Sequence, residues 1–346
     1  MKLLESRLYH NDIKRAISNA TIIDDLTGKT IFITGGLGLI ASAIVDVLAV
    51  AGHTVVYIGA RNKQNFQDRY GNCENIKFVQ YDALEEFSES IKPNYIIHGA
   101  GLASPELYTS KPVETVLSNF DGVHTLLRFA KNNEVSRLLY ISSSEVYGKK
   151  ITEDPFVEGV YGEVDIDNIR SSYVIAKRSS EMLCKAYASE YDVDTIIVRP
   201  GHIYGPSAKL TDKRISSDFA FKAAKGENLD MKSPGLQKRS YCYSIDCAIQ
   251  ILTVLVKGEK GQAYNIGHDE VTSIREMAEI LAKSGGVKLS LVEPSEIEIK
   301  NFNPMSNSSL DNSKVKTLGY KDTFSVEEGL AHTVKILREV LYLDSR

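Results

Sequence analysis

The sequence predicts an α/β protein built on a doubly wound parallel sheet, with a smaller lobe toward its C-terminal end. Apolar segments of strand length recur up to Pro200, and longer amphipathic segments alternate with them. The apolar segments are almost continuous, which is typical of strands covered on both faces. The predicted strands are 30–34, 55–58, 76–80, 95–98, 138–141 and 195–198, and the predicted helices are 41–51, 113–132 and 173–191.

The same segments divide the chain into three predicted regions. Residues 1–29 form an extension, and residues 30–200 hold the sheet. We expect residues 201–346 to form a smaller lobe, partly interleaved with the sheet domain. Within this lobe 207–240 is polar with few strand signals, whereas 262–266 has a strand pattern and 274–284 a helical one. The extension carries a helical stripe that predicts a short docking helix: Leu3, Leu4, Leu8, Ile13 and Ile17.

Composition excludes several classes of function. The net charge is -4 and no basic block is present, so we expect no nucleic-acid partner. No apolar run reaches the length of a bilayer span, and charged residues follow Met1 at once, so we expect no membrane association and a cytoplasmic location. The four cysteines are scattered and no metal-ligand spacing occurs, which predicts reduced thiols and no metal site.

A glycine-rich turn, Thr34-Gly35-Gly36-Leu37-Gly38-Leu39-Ile40-Ala41, lies between the first strand and the first helix. Glycines at this place allow a tight turn and let the backbone approach a pyrophosphate, which the N-terminus of the helix attracts. A string of this kind is weak by itself, but its position between a strand and an amphipathic helix favours a Rossmann-type NAD(P)-binding domain.

The end of the second strand bears on the choice of cofactor. A carboxylate there would bind the adenosine ribose of NAD, but the position is Gly59, and Arg61 follows. An arginine at this place suits a 2′-phosphate, so NADP is favoured, with NAD and a solvated Arg61 as the alternative. Asp82, directly after the third strand, could meet the adenine edge or could cap a turn.

Two further segments carry residues suited to proton transfer. Tyr173 and Lys177 are four residues apart and share one face of a predicted helix. A lysine ammonium near a phenol favours the phenolate, so Tyr173 could take a proton from a hydroxyl group. About thirty residues earlier, Ser142-Ser143-Ser144 closes a strand and Glu145 follows. An ordinary surface pair and a polar rim carboxylate are the alternative interpretations.

Together these motifs resemble the extended short-chain dehydrogenase/reductases, in particular their nucleotide-sugar epimerase/dehydratase branch. The resemblance runs from about Lys29 to Leu337, and its ordered markers make it specific. They are the glycine-rich turn, Asp82-Ala83, His98-Gly99-Ala100-Gly101, Asn119, Ser142–Gly148, Tyr173 with Lys177, Arg199-Pro200-Gly201, Tyr204-Gly205-Pro206, Arg239 and Tyr264-Asn265-Ile266-Gly267.

The resemblance implies a role for each matching position. Tyr173 would be the base at the sugar C4 hydroxyl, tuned by Lys177, with Ser143 bound to the C4 oxygen and Glu145 acting at C5. Ser144, Asn119 and Arg239 would bind the nucleoside-diphosphate sugar, with Arg239 on the diphosphate. The implied cofactor-binding residues are Gly35, Gly38, Leu39, Ile40, Arg61, Asp82, Ala83, Ala100 and Lys177.

The reaction implied begins with oxidation at C4 to a transient 4-keto sugar. Glu145 favours a lyase, either a 4,6-dehydratase or a decarboxylase, because C4 epimerases of the branch usually carry a small or neutral residue there. Ser144 stands where dTDP-glucose dehydratases carry an aspartate. A 4-keto-sugar reductase, a C4 epimerase and, remotely, a dinucleotide sensor are the alternatives. By the same resemblance we expect a homodimer that pairs helices such as 113–132.

Overall fold

The structure, a computed structural model, describes residues 3–88, 90–150, 152–293 and 305–343. Every predicted site residue lies in these ranges. The predicted regions also include residues outside the described ranges, namely 1–2, 89, 151, 294–304 and 344–346. None of the helices in the described ranges combines the length and the hydropathy needed to span a bilayer.

Seven parallel strands form the central sheet: β1 Thr30–Thr34, β2 Val55–Ala60, β3 Ile76–Gln80, β4 Tyr95–His98, β5 Arg137–Ile141, β6 Thr195–Pro200 and β10 Ala263–Ile266. Their order is β10-β6-β5-β4-β1-β2-β3, so the direction of winding reverses between β1 and β4. In doubly wound sheets a ligand binds at the carboxyl ends of the strands that flank such a reversal. The fold therefore places the glycine-rich turn after β1 at the crevice where such a ligand is expected.

Helices cover both faces of this sheet. The helices are α1 Arg7–Asn19, α2 Leu39–Ala51, α3 Lys63–Tyr70, α4 Pro105–Ser110, α5 Pro112–Asn132, α6 Ser172–Glu190, α7 Ile215–Lys225, α8 Ser244–Lys257, α9 Ile274–Gly285, α10 Ser313–Lys316 and α11 Val326–Leu343. Helices α2 and α8 pack together on one face, and α5 and α6 on the other. In β1, Ile31 and Ile33 pack into the hydrophobic core that contains α2 and α8, and Phe32 packs into the core that contains α5. Side chains alternate between the two faces in this way along any strand. The predicted fold class is confirmed.

The smaller lobe has its own sheets. The strands β7 His202–Tyr204, β9 Lys238–Tyr243 and β11 Val271–Ser273 form one sheet, and β8 Leu229–Met231 pairs with β12 Leu289–Leu291. Helices α7, α9 and α11 pack together beside them. The chain returns to the first domain between these elements, because β10 joins the central sheet and α8 packs on α2. The domain boundary at 200/201 stays a prediction.

The predicted docking helix of the extension is α1, which is confirmed. Leu3 and Ile13 of the predicted stripe are buried, and Leu4, Leu8 and Ile17 pack against the same core. The hydroxyl group of Tyr9 donates to the buried carboxylate of Asp46 on α2 at 2.8 Å. Helix α1 is thus part of the fold rather than an appendage.

Candidate active site

The turn after β1 is shaped by the close approach of two backbone segments. Gly35 has φ +70°, and a Cβ atom there would lie 2.8 Å from the carbonyl carbon of Gly99. Gly38 caps α2, and Leu39 and Ile40 are the first residues of that helix. The amides of a first helical turn have no partner within the helix, so they point to this turn. A pyrophosphate fits such a cradle. The predicted residues Gly35, Gly38, Leu39 and Ile40 are therefore brought together.

The predicted adenosine end lies beside the carboxyl ends of β2 and β3. A Cβ atom at Gly59 would lie 2.9 Å from the ring of Phe32, which leaves no room for an acidic side chain in this packing. Arg61 is exposed next to it. The Asp82 carboxylate accepts the amide of Leu84 at 3.0 Å and so caps a turn.

Two small residues complete the predicted cofactor side. Ala83 is buried against Gly122 of α5. The amide of Ala100 donates to Thr34 Oγ1 at 3.3 Å, which ties the loop after β4 to the end of β1. Both residues lie at the carboxyl edge of the sheet, but their contact with the cofactor stays a prediction.

The predicted catalytic residues converge from two elements. A 3-10 helix, Ser144–Tyr147, follows β5 directly, and the Ser143 hydroxyl caps it by accepting the amide of Glu145 at 3.2 Å. Helix α6 contributes Tyr173, which is 4% exposed and hydrogen-bonds to Ser143. The Lys177 ammonium donates to the carbonyl oxygen of Ile141 at 2.9 Å and lies 5.7 Å from the centre of the Tyr173 ring.

The ionisation of Tyr173 in this structure differs from the sequence-based expectation. Burial raises the pKa of Tyr173, and the Glu145 carboxylate raises it further, whereas hydrogen bonds to Ser143 and Tyr108 lower it. The Lys177 ammonium donates its hydrogen bond to the carbonyl oxygen of Ile141. Burial also lowers the pKa of Lys177 itself to about 7. The net effect of these surroundings is a pKa of the Tyr173 phenol above its ordinary value.

Glu145 is half-buried at the start of the 3-10 helix. Burial raises the pKa of its carboxyl group, and the positive charge of Arg170 partly opposes this shift. A carboxyl group with a raised pKa holds a proton more readily near neutral pH, so it can give a proton to a substrate carbon as well as take one.

The predicted substrate residues lie at different depths. Ser144 is half-buried at the start of the 3-10 helix. Arg239 lies on β9, is 5% exposed, and donates to the carbonyl oxygen of Lys238 at 2.8 Å. Asn119 is fully buried behind the loop after β4, where its amide donates to the carbonyl oxygens of Leu102 and Thr115. The structure thus does not bring Asn119 to the surface of the site, and its contact with substrate stays a prediction.

A family model described as "NAD dependent epimerase/dehydratase family" matches residues 31–267. The chain belongs to this family. UDP-glucuronic acid decarboxylase 6 of Arabidopsis thaliana is 31% identical over 307 residues, which cover 87% of the chain and 86% of that protein. UDP-glucuronic acid decarboxylase 1 of Xenopus tropicalis is 30% identical over 320 residues, covering 90% and 73%.

A solved structure agrees with this membership in the epimerase/dehydratase family. DesIV, a dTDP-glucose 4,6-dehydratase from Streptomyces venezuelae solved with NAD and TYD bound, has a TM-score of 0.76 and 26% identity to the chain. The match covers 90% of the chain and 97% of DesIV. The resemblance to this family is therefore confirmed.

Within the epimerase/dehydratase fold, the structure adds two residues that the sequence did not single out. The ring of Tyr108 stacks on that of Tyr173 with centroids 4.3 Å apart and planes at 8°. The positive charge of Arg214, the residue before α7, lowers the pKa of both Tyr173 and His202. Arg214 also pairs with Asp212, two residues earlier. No spacing along the chain marks either residue, because each reaches Tyr173 from a loop or a short helix distant in sequence.

Proposed function

We propose that the chain is a nucleotide-sugar decarboxylase that acts on a nucleoside-diphosphate uronate such as UDP-glucuronate. The arrangement that supports this proposal is the carboxyl group of Glu145 beside Tyr173, with the positive charge of Arg214 close to the same phenol. The named UDP-glucuronic acid decarboxylases, similar over most of the chain, support the same reaction class.

The first half of the reaction is oxidation of the sugar at C4. Tyr173 takes the proton of the C4 hydroxyl, and Ser143 holds the oxygen on which charge develops. When bound, the oxidised nicotinamide supplies the hydride acceptor at C4 and a positive charge that favours the phenolate. Lys177 adds a second positive charge when it is protonated, and its carbonyl contact with Ile141 keeps the ammonium beneath the ring.

The second half is loss of carbon dioxide from C5. A ketone at C4 is β to the C5 carboxylate, so the bond between C5 and the carboxylate breaks and its electron pair enters the enolate. The guanidinium of Arg214 would hold the uronate carboxylate before this step. Glu145, with its raised pKa, then gives a proton to C5. Tyr173 would return its proton to the C4 oxygen, and a bound nicotinamide would supply the hydride that restores the C4 hydroxyl group.

A 4,6-dehydratase is the second candidate, and Glu145 is also the residue that favours it. In that reaction Glu145 would remove the C5 proton and hydroxide would leave from C6. Ser144 offers a hydroxyl group rather than a carboxylic acid to protonate the leaving group, so this reaction is the less well supported of the two.

For the cofactor we propose a preference for NADP over NAD. Gly59 stands at the end of β2, where an acid would bind the ribose 2′-hydroxyl. The ring of Phe32 occupies the space beside Gly59, and Arg61 is exposed next to it. A guanidinium at this place suits a 2′-phosphate.

The chain should act as a homodimer. Helices α5 and α6 present exposed apolar side chains beyond those that cover the sheet, namely Val113, Val116, Leu117, Ile175 and Met182. A second copy of these two helices would cover this face. The cytoplasmic location stays a prediction.

The test is mass spectrometry of the products formed from UDP-glucuronate, dTDP-glucose, CDP-glucose and GDP-mannose. We expect loss of carbon dioxide from UDP-glucuronate alone, and Glu145→Gln should reduce the rate by about 100-fold or more. Glu190→Gln, an exposed carboxylate at the end of α6, is the matched control and should leave the rate unchanged. Loss of water from another donor would make the protein a dehydratase. Oxidation of NADPH only with a 4-keto sugar would make it a reductase.

A further inference from the structure

A buried cation connects the two elements that carry the candidate catalytic residues. Arg199 lies in β6, its side chain is 1% exposed, and its guanidinium donates to the side chains of Glu181, Tyr147 and Tyr161. Nε and one terminal nitrogen donate to the Glu181 carboxylate at 3.0 and 2.6 Å. Glu181 lies one turn beyond Lys177 and two turns beyond Tyr173 on α6. Two nitrogens of Arg199 are therefore bonded to the helix that carries both residues.

The guanidinium of Arg199 is also bonded to the 3-10 helix that carries Glu145. The remaining terminal nitrogen of Arg199 donates to the hydroxyl group of Tyr147 at 3.1 Å. Tyr147 is fully buried and lies two residues after Glu145. The Arg199 guanidinium also lies 5.0 Å from the centre of the Tyr147 ring.

The Tyr147 hydroxyl passes this connection on to β10. It donates to Asn265 Oδ1 at 2.5 Å, and Asn265 Nδ2 donates to the carbonyl oxygens of Phe156 and Asp311. Asn265 is fully buried. The chain of bonds from Glu181 through Arg199 and Tyr147 to Asn265 therefore spans α6, the 3-10 helix and the last strand of the central sheet.

We propose that Arg199 and Tyr147 are positioning residues that hold Glu145 in register with Tyr173. The proposal rests on the proposed function, in which Tyr173 acts at C4 and Glu145 at the neighbouring C5. Two groups that act on adjacent atoms of one sugar must keep a fixed separation, and small displacements of a reacting group cost large factors in rate.

Stability alone is a poor reason for this network. A buried ion pair is costly to desolvate, and an apolar set of similar volume is often as stable. The 3-10 helix is already attached to α6 by a second arginine, because Arg178 donates to the carbonyl oxygen of Val146 at 2.7 Å. The Tyr147 hydroxyl adds orientation to a segment that is already attached, and its removal should loosen Glu145 without unfolding the chain.

The matched pair of variants is Tyr147→Phe and Tyr161→Phe. The Tyr161 hydroxyl accepts from the same guanidinium at 2.6 Å, but Tyr161 is 48% exposed on the following loop, outside the 3-10 helix. Both variants delete one hydroxyl that bonds to Arg199, and only Tyr147→Phe removes such a bond from the 3-10 helix that carries Glu145.

The first readout is amide hydrogen exchange of the peptide that covers residues 141–148, which needs no substrate. We expect exchange to be faster by about tenfold in Tyr147→Phe and unchanged in Tyr161→Phe, measured at a temperature where both variants are fully folded. Unchanged exchange in Tyr147→Phe would overturn the proposal, whatever the substrate proves to be. Failure of the decarboxylase assignment would show instead as a wild-type protein that releases no carbon dioxide.

The second readout separates the two half-reactions with UDP-glucuronate. In Tyr147→Phe proton transfer to C5 should slow by about tenfold, while oxidation at C4 stays within about twofold. Reduced nicotinamide should then accumulate during turnover, which absorbance reports. Equal loss of both half-reactions, or accumulation in Tyr161→Phe as well, would indicate a merely structural network and overturn the positioning role.

Discussion

Lys177 is 5% exposed, and its ammonium donates to the carbonyl oxygen of Ile141 at 2.9 Å. Burial lowers the pKa of Lys177 from an ordinary 10.5 to about 7, although the Glu181 carboxylate opposes this shift. Between these two pH values the unfolded chain binds a proton that the folded chain has released, so the free energy of unfolding rises with pH across this window. Lys177, which we propose tunes Tyr173, therefore lowers stability at neutral pH.

Replacement of this lysine by an apolar side chain of similar length should stabilise the protein. We expect Lys177→Met to raise the free energy of unfolding at pH 7 by about 1–3 kcal/mol, the lost bond to Ile141 offsetting part of the gain. The gain should shrink by about 2 kcal/mol at pH 9, since each pKa unit corresponds to about 1.4 kcal/mol. Urea unfolding at both pH values measures it, with the exposed Lys185→Met as control. A gain that is independent of pH would contradict a buried, titrating ammonium.

Arg61 decides the cofactor prediction. If its guanidinium binds a 2′-phosphate, Arg61→Ala should raise the dissociation constant of NADP by about tenfold or more and leave that of NAD within about twofold. Calorimetric titration of the two dinucleotides measures both constants. Lys92→Ala removes an exposed charge just before β4, near the amino ends of the strands and away from the cofactor side. It should change neither dissociation constant. Equal effects of Arg61→Ala on both dinucleotides would leave NAD as the natural cofactor.

At the scale of elements, the sequence predicted what is recorded locally. Strand β1 and helix α5 were predicted to within one residue. The continuous apolar run of the strand and the helical periodicity of α5 are both visible in consecutive residues of the sequence. Helix α7 was missed, since its buried face includes three alanines and it lies in a polar stretch. Tyr173 and Lys177 were predicted to share a face for the same local reason.

Contacts between distant segments could not be predicted. Arg199 is 18 positions from Glu181 and 52 from Tyr147 in the chain. The packing of α6 on β6 and on the 3-10 helix brings the three together. The stacking of Tyr108 on Tyr173 depends in the same way on where α4 lies. The pKa of Tyr173 was expected to fall because Lys177 is four residues away. The depth of burial that raises it is a property of the fold and not of spacing.

Helix α1 is attached by carboxylates buried on both sides of it. Asp46 on α2 accepts from the hydroxyl groups of Tyr9 and Tyr70 at 2.8 Å and from Arg69 at 2.7 Å. On α1 itself, Asp12 accepts from the Tyr243 hydroxyl at 3.0 Å. The bond from Tyr9 to Asp46 attaches α1 to the sheet domain, and the bond from Tyr243 to Asp12 attaches α1 to the smaller lobe.

Deletion of one hydroxyl should therefore weaken this attachment measurably. We expect Tyr9→Phe to lower the free energy of unfolding by about 1–2 kcal/mol, because a hydrogen bond to a buried charge is lost. Ser18→Ala, which removes an exposed hydroxyl at the end of the same helix, should change it by less than about 0.5 kcal/mol. Denaturant titration at pH 7 compares the two. A Tyr9→Phe protein as stable as wild type would mean that α1 is held by its apolar face alone.

At the scale of the whole molecule, α1 and the return of the chain through α8 and β10 join the two lobes. His332 on α11 lies 3.0 Å from the Asp12 carboxylate, and the Arg15 guanidinium lies 4.7 Å from the centre of the Phe324 ring. These contacts lie on the side of α2 and α8, whereas α5 and α6 cover the opposite face of the sheet. The α5–α6 face is thus left with exposed apolar side chains after the lobes have been joined.

That face carries the last prediction, a homodimer. Met182 on α6 is 65% exposed and Leu117 on α5 is 42% exposed, and a second copy of both helices would bury them. Wild-type protein should sediment as a dimer at micromolar concentration, and Met182→Glu should raise the dissociation constant by about 100-fold, because an unpaired charge would be buried. Ile166→Glu, at a 78% exposed loop residue, should leave the dimer intact. A monomeric wild type would contradict the homodimer, and dissociation by Ile166→Glu instead would place the contact elsewhere.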